Sequence, residues 1–256
     1  MRKISTVKIM EIAEKVNLRI RDAALDSVTS AMNLTEEPGR ARLRITANSY
    51  EILHIQQEFG DYCKVLAGCF ADNRGIINAC DCIRGICGAA KIIVENKGLQ
   101  LFCNIAEKPV FINADPLYLQ QAVLALVLNS AEHAREGGRI DITVKKTART
   151  AKIIVYDNGY GMDSETLMHC TEPLFSGGGT VNNKKPLGLG LALVSRFIKN
   201  SGGHMRIRSF YGKSTRVELN FPKAEAPEEA DGINATSAQL FGYDDAEIKI
   251  ALAPIL

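Results

Sequence analysis

Apolar positions in the N-terminal part of the chain recur at alternating steps of four and three. Ile9, Ala13, Val16, Ile20, Ala23 and Ser27 form one line, the seam of a coiled coil or helical bundle. They predict a helix over about Thr6–Leu34, closed by Pro38 and Gly39. Ile45, Asn48, Ile52, Ile55, Phe59, Tyr62, Leu66 and Cys69 repeat the pattern and predict a second helix over about Ala41–Phe70. Two such helices joined by a short turn make a hairpin. A lone hairpin buries its stripe poorly, so pairing with a second copy into a dimerising four-helix bundle is expected.

From Asn73 the texture changes to alternating elements. The patterns predict a strand near Gly75–Asn78, a helix over Ala79–Asn96, and strands at Gln100–Ile105 and Val110–Asn113. A helix over Pro116–Ala134 follows, with Asp115 as its N-cap. Period-two alternation predicts strands at Arg139–Lys146 and Lys152–Asp157. A glycine-rich loop over about Gly159–Leu187 leads to a helix at Leu189–Asn200, then to a hairpin of His204–Tyr211 and Ser214–Phe221 around Gly212. The expected class is α+β. A helical-hairpin domain covers 1–72, and an α/β sandwich with helices on one face covers 73–223. The tail over 224–256 begins acidic, with Glu225, Glu228, Glu229 and Asp231, and ends apolar, as a linker and then a docked element.

Composition narrows the classes. The net charge of +2 is too small to argue for nucleic acid or an anionic membrane as a partner. No apolar run is long enough to span a bilayer, and Lys8, Glu11 and Glu14 interrupt the apolar residues behind the basic start. The expectation is a cytoplasmic protein. Seven cysteines, at 63, 69, 80, 82, 87, 103 and 170, match no paired metal-site spacing. Cys80, Ile83, Cys87, Ala90 and Val94 share a helical face, so the thiols read as small buried hydrophobes rather than as a metal or redox site.

Three segments carry candidate chemistry. In LQQAVLALVLNSAEHA, residues 119–134, Asn129 sits beside a helical face built for burial, where an amide needs partners. In IIVYDNGYGM, residues 153–162, an apolar strand ends in Asp157, and Gly159 and Gly161 allow close backbone approach. In KKPLGLGLALVSRFI, residues 184–198, Gly188 and Gly190 stand where a loop enters a helix, whose free N–H groups suit phosphate oxygens. Lys184 and Lys185 stand just upstream. Each segment alone is common. An asparagine in a helix is more often a satisfied core group, and Asp-Asn-Gly is a good turn.

Their order and spacing resemble the superfamily shared by histidine kinases, gyrase and certain chaperones and mismatch-repair proteins. The likeness covers about Gly75–Pro222, and the preceding hairpin resembles a kinase dimerisation module. The resemblance implies ATP and Mg²⁺ as cofactors, with Asn129 as the metal ligand. It implies that Asp157 hydrogen-bonds the adenine amino group, and that Gly159, Gly161 and Met162 shape the adenine and lid edge. His133 would stand near the nucleotide, and EPLF, 172–175, would open the lid. Gly188, Leu189, Gly190 and Leu191 would lie under the phosphates, with Lys184 and Lys185 adding charge. Thr215 would support the adenine through water.

The chain departs from the family where phosphate is spent. The best match to the phosphoacceptor motif is LRIRDAA, 18–24, which puts Leu18 in place of the histidine and Arg19 in place of its acid. Leu18 points away from the seam, an odd direction for leucine unless something covers it. Ala125 stands where kinases carry asparagine and hydrolysing relatives carry a glutamate base; alanine abstracts no proton. Pro186 replaces a glycine, and Gly178 stands near a frequent lid lysine. His54, on the second helix, is an alternative acceptor, although a surface histidine needs no such explanation.

Two function classes follow from the resemblance. One is a homodimeric two-component histidine kinase that passes phosphate to a response regulator. The other is a nucleotide-binding pseudokinase acting as a scaffold or as the companion of a competent partner kinase. A serine/threonine kinase of the anti-sigma type shares the ATP fold but usually lacks the long hairpin.

Overall fold

A computed structural model describes residues 6–32, individual positions between 38 and 64, and residues 73–175 and 188–226. The chain divides into two compact units, with the break at residues 70 and 71.

The first unit is built on helix α1, Thr6–Met32, which no glycine or proline interrupts. Ile12, Val16, Ala23 and Ser30 are buried, whereas Ala13, Ile20 and Ser27 are only half-buried. The buried line therefore shares Val16 and Ala23 with the predicted seam but is turned around the helix. The turn has a polar cause. Asn48, itself buried, donates its Nδ2 to the Asp26 carboxylate at 2.7 Å, which draws the Asp26 flank of α1 towards the second segment. Ile45, Asn48, Ile52, Ile55 and residues 58–64 are helical, and Ile55 and Tyr62 are buried. Leu18 is 43% exposed and heads an apolar line with Leu25, Val28 and Met32, all exposed. His54, Leu66 and Cys69 lie outside the described residues.

The second unit starts with strand β1, Gly75–Asn78, and helix α2, Ala79–Asn96. The Asn78 side chain caps α2 by accepting the Cys80 N–H. Strand β2, Gln100–Ile105, and strand β3, Phe111–Ala114, follow, and β3 pairs antiparallel with β1. Helix α3, Pro116–Glu132, has Asp115 as its N-cap, accepting from Leu117 N at 2.9 Å and Tyr118 N at 3.3 Å. Strands β4, Arg139–Lys146, and β5, Thr150–Asp157, come next. Then follow helix α4, Ser164–His169, helix α5, Gly190–Asn200, and strands β6, His204–Phe210, and β7, Ser214–Pro222.

Five strands form one sheet in the order β2-β4-β5-β7-β6. Only β2 and β4 run parallel; the other neighbours are antiparallel. Alternation along the strands sends Ile140, Ile142, Val144, Ile153, Val155, Val217 and Leu219 into one core with α2, α3 and α5. Helix α3 packs between α2 and α5. Its buried positions include Leu119, Val123, Leu126 and Val127. The observed class is a mixed α+β chain, with an N-terminal helix and an α/β unit whose helices cover one sheet face.

Three expectations need correction. The stretch read as a loop from Gly159 holds the short helix α4, which Asp163 caps by accepting the Thr166 N–H at 2.7 Å. Six residues are too few to show a periodic pattern. Strand β3 is displaced by one residue from Val110–Asn113, because Val110 instead accepts the Ala79 N–H. The cysteines are not uniformly buried hydrophobes. Cys87 on α2 and Cys103 on β2 form a disulfide, while Cys80, Cys82 and Cys170 are buried free thiols.

Candidate nucleotide site

The site lies where β5 ends beside the last turn of α3. Asp157 closes β5 and is only 5% exposed. Its Oδ1 accepts the Gly159 N–H at 3.0 Å and its Oδ2 accepts the Ser130 hydroxyl at 3.1 Å. Burial pushes the carboxyl above its ordinary 3.8, while the N–H of Gly159, the hydroxyl of Ser130, the backbone of Thr215 and the charge of His133 pull it down. Across the sheet, Thr215 of β7 is in register with Asp157 and is buried. The Thr215 hydroxyl is 3.0 Å from that of Ser209, which also accepts the Met162 N–H at 2.7 Å. Thus two hydroxyls and one carboxylate link three strands with the segment that carries Met162.

His133 caps the C-terminus of α3, with its N–H on the Asn129 carbonyl. The residue is exposed overall, but desolvation of the ring lowers its pKa below the ordinary 6.5, against the opposing Asp157 charge. The His133 carbonyl accepts the Tyr160 N–H at 3.1 Å. Asn129 is half-buried one turn earlier on the same helix, and Ala125 is half-buried one turn before that.

The glycines are required by packing. A Cβ on Gly159 would stand 2.2 Å from the His133 carbonyl oxygen. Gly161 has φ +65°, and a Cβ there would stand 2.1 Å from the Phe210 carbonyl oxygen. Gly188, at φ +70°, comes as close to Phe175 and accepts the Leu174 N–H at 3.0 Å through its carbonyl. EPLF therefore folds back on the glycine that precedes α5. Leu189 is fully buried and gives α5 no side-chain cap, so the N–H groups around Gly190 and Leu191 have no capping side chain.

A second clasp holds the outer edge. Tyr160 accepts the Gly212 N–H at 2.6 Å through its carbonyl, and Arg135 donates to the Gly212 carbonyl while lying over the Tyr160 ring at 5.4 Å. The structure thus brings Asn129, His133, Asp157, Gly159, Gly161, Met162 and Thr215 to one end of the sheet. Gly188, Leu189, Gly190 and Leu191 occupy the entry to α5. Lys184, Lys185, Gly178 and Pro186 lie outside the described residues. Sequence reasoning missed Ser130, Ser209 and Arg135. Ser130 was legible, being a hydroxyl directly after Asn129 on an otherwise apolar face. Ser209 and Arg135 gave no signal, because their links to the Met162 N–H and the Gly212 carbonyl join backbone groups distant in sequence.

Residues 114–225 match the family described as histidine kinase-, DNA gyrase B- and HSP90-like ATPase. Over these residues the chain is similar to the ATPase core of histidine kinases. It is 29% identical over 176 residues to histidine protein kinase DivJ of Caulobacter vibrioides, an alignment covering 69% of this chain and 30% of that protein. The fold is similar to the histidine kinase AdeS of Acinetobacter baumannii, with a TM-score of 0.64 at 14% identity over 80% of this chain and 97% of that one. It is also similar to the histidine kinase ThkA, solved in complex with the response regulator protein TrrA. That match has a TM-score of 0.64 at 16% identity and covers 84% of this chain and 61% of the other. The chain spans less than a third of the length of the curated relatives it matches first. Among the described residues, no helix is long and apolar enough to cross a membrane.

Proposed function

We propose that the chain binds Mg-ATP at the mouth of β5 and acts as a histidine-kinase-type signalling protein of a two-component system. The observation that supports this best is Asp157, a buried carboxylate at the end of a strand, held from two sides by Ser130 and Gly159. Its acceptor oxygens suit the exocyclic amino group of adenine, and Thr215 supports the same base through water. Met162 and His133 line the base. Gly188, Leu189, Gly190 and Leu191 present backbone N–H groups to the phosphates, and Lys184 and Lys185 add charge.

The donor set fits a divalent cation brought in by the nucleotide. Among the described residues no group of three or more His, Cys, Asp or Glu could hold a metal alone. Mg²⁺ commonly takes one or two protein ligands together with substrate phosphates, and Asn129 supplies an amide oxygen for that role. The bound metal would neutralise phosphate charge.

The chain pairs with a second copy through the hairpin, where the exposed line Leu18, Leu25, Val28 and Met32 gives α1 an apolar face to bury. Its partner is a response regulator or a competent partner kinase, and it works in the cytoplasm. Domain limits of 1–72, 73–223 and 224–256 fit this division of labour.

A second reading has its own observation. Leu18, 43% exposed, holds the phosphoacceptor position, and Ala125 holds the position of a base or its substitute. Nucleotide would then set a conformation rather than donate phosphate. Incubation with γ-labelled ATP and Mg²⁺ separates the two. Base-stable, acid-labile label supports the kinase and sends the search for an acceptor to His54. Absence of label, with ATP binding measured in parallel by calorimetry, leaves the nucleotide-gated scaffold.

A further inference from the structure

Cysteine placement in the second unit is selective. Cys80, Cys82 and Cys170 are buried, and burial raises their thiol pKa values, that of Cys82 to about 11. Such thiols hold little thiolate near neutral pH and react slowly. Cys103 and Cys87 differ. Cys103 is exposed on β2, a strand at the edge of the sheet, and Cys87 is half-buried on the face of α2 that packs on the core. Their Cα atoms are 6.6 Å apart, within the range a disulfide spans, and the sulfurs are bonded.

We infer that Cys87 and Cys103 form a reversible thiol–disulfide site whose reactant is a low-molecular-weight disulfide such as oxidised glutathione. The Cys103 thiolate attacks one sulfur of the small disulfide, forming a mixed disulfide and releasing one small thiolate. The Cys87 thiolate then attacks the Cys103 sulfur, closing the protein disulfide and releasing the second small thiolate. The two protons lost by the cysteines go to the released thiolates, and two electrons pass from the protein to the small disulfide. Reduction by a small thiol runs the same steps backwards. The bond ties α2 to the edge strand across a sequence separation of 16, enclosing the Gly98 turn.

Closing a loop of this length removes freedom from the unfolded chain, so the oxidised form unfolds at a midpoint higher by about 5 °C or more. The test equilibrates the full chain in glutathione buffers from fully reduced to fully oxidised, blocks free thiols by alkylation, and reads intact mass, peptide map and unfolding midpoint. The expected result is a two-electron titration with a Cys87–Cys103 linked peptide and the higher midpoint in oxidised samples. Cys103→Ser, at an exposed position, keeps the fold and abolishes the redox-dependent shift. Free thiols at both positions throughout, a bond that survives the most reducing buffer, a linked peptide involving another cysteine, or an equal shift in Cys103→Ser would each overturn the inference.

Discussion

Ser130 donates its hydroxyl to the Asp157 carboxylate across 3.1 Å, joining the last turns of α3 to the end of β5. The two residues lie 27 positions apart, and the contact is buried. It orients one carboxylate oxygen while Gly159 orients the other. Replacing Ser130 with alanine removes one hydrogen bond to a charged group, worth about 1.5–3 kcal/mol. Expected outcomes are a lower urea midpoint and a roughly fivefold or greater weakening of ATP binding by calorimetry. Asp157→Asn should weaken ATP far more, by about 10- to 100-fold, because an amide presents a donor where the adenine amino group needs an acceptor.

The raised pKa of Asp157 gives a pH dependence of known sign. The folded state takes up this proton at a pH above the ordinary 3.8, so protonation favours the fold and the group's ionisation costs stability as pH rises through the folded pKa. Nucleotide binding should run the other way. ATP affinity should fall as pH drops through the folded pKa, since a protonated carboxyl loses acceptor capacity. Calorimetric titrations of wild type and Asp157→Asn across mildly acidic pH check this. The variant should lack that inflection.

Glycine positions separate steric from conformational demands. Gly161→Ala meets the Phe210 carbonyl at a positive φ and should cost about 2 kcal/mol or more. Gly98→Ala has a similar φ of +69° but open space around it, and should cost only about 1–2 kcal/mol. Urea unfolding of both variants measures the difference.

In the first unit, Asn48→Ala leaves Asp26 without its 2.7 Å donor and a cavity beside α1. We expect a loss of about 1–3 kcal/mol, read as a lower helical melting midpoint. Leu18→His is exposed and should change stability by less than about 0.5 kcal/mol. Combined with Arg19→Glu, it installs the histidine–acid pair that the proposed kinase reading calls for at positions 18 and 19; on that reading acid-labile phosphate should appear at position 18, detectable by labelled ATP and peptide mapping.

The sheet and its helices were legible because burial imposes period two or 3.6 over runs long enough to see. Asp115 announced α3 through a cap that the structure contains. Asp157, Gly159 and Gly161 stood out as a strand end, an acid and alternate glycines, but Asp-Asn-Gly alone is a good turn, and their reading as a nucleotide site came from the resemblance. What escaped was non-local. The turn of α1 about its axis depends on Asn48 reaching Asp26, and no periodicity within α1 encodes that contact. The Cys87–Cys103 bond escaped for a similar reason: helical spacing grouped Cys87 with Cys80, and only the packing of α2 against β2 brings Cys103 to it. Arg135 finds the Gly212 carbonyl through a turn that the sequence places far away.

Strand β5 has β4 on one side and β7 on the other, and the two neighbours leave the ribosome at different times. β4 immediately precedes β5, whereas the partner of Asp157 is Thr215. Throughout synthesis of the intervening residues, one edge of Ile153, Ile154 and Val155 lacks its final partner. Such an aliphatic β-forming run with a bare edge is a template for pairing with other chains. The nascent chain is therefore most vulnerable to aggregation before residue 222 emerges, and a truncation in that interval should yield insoluble protein, not a smaller working domain.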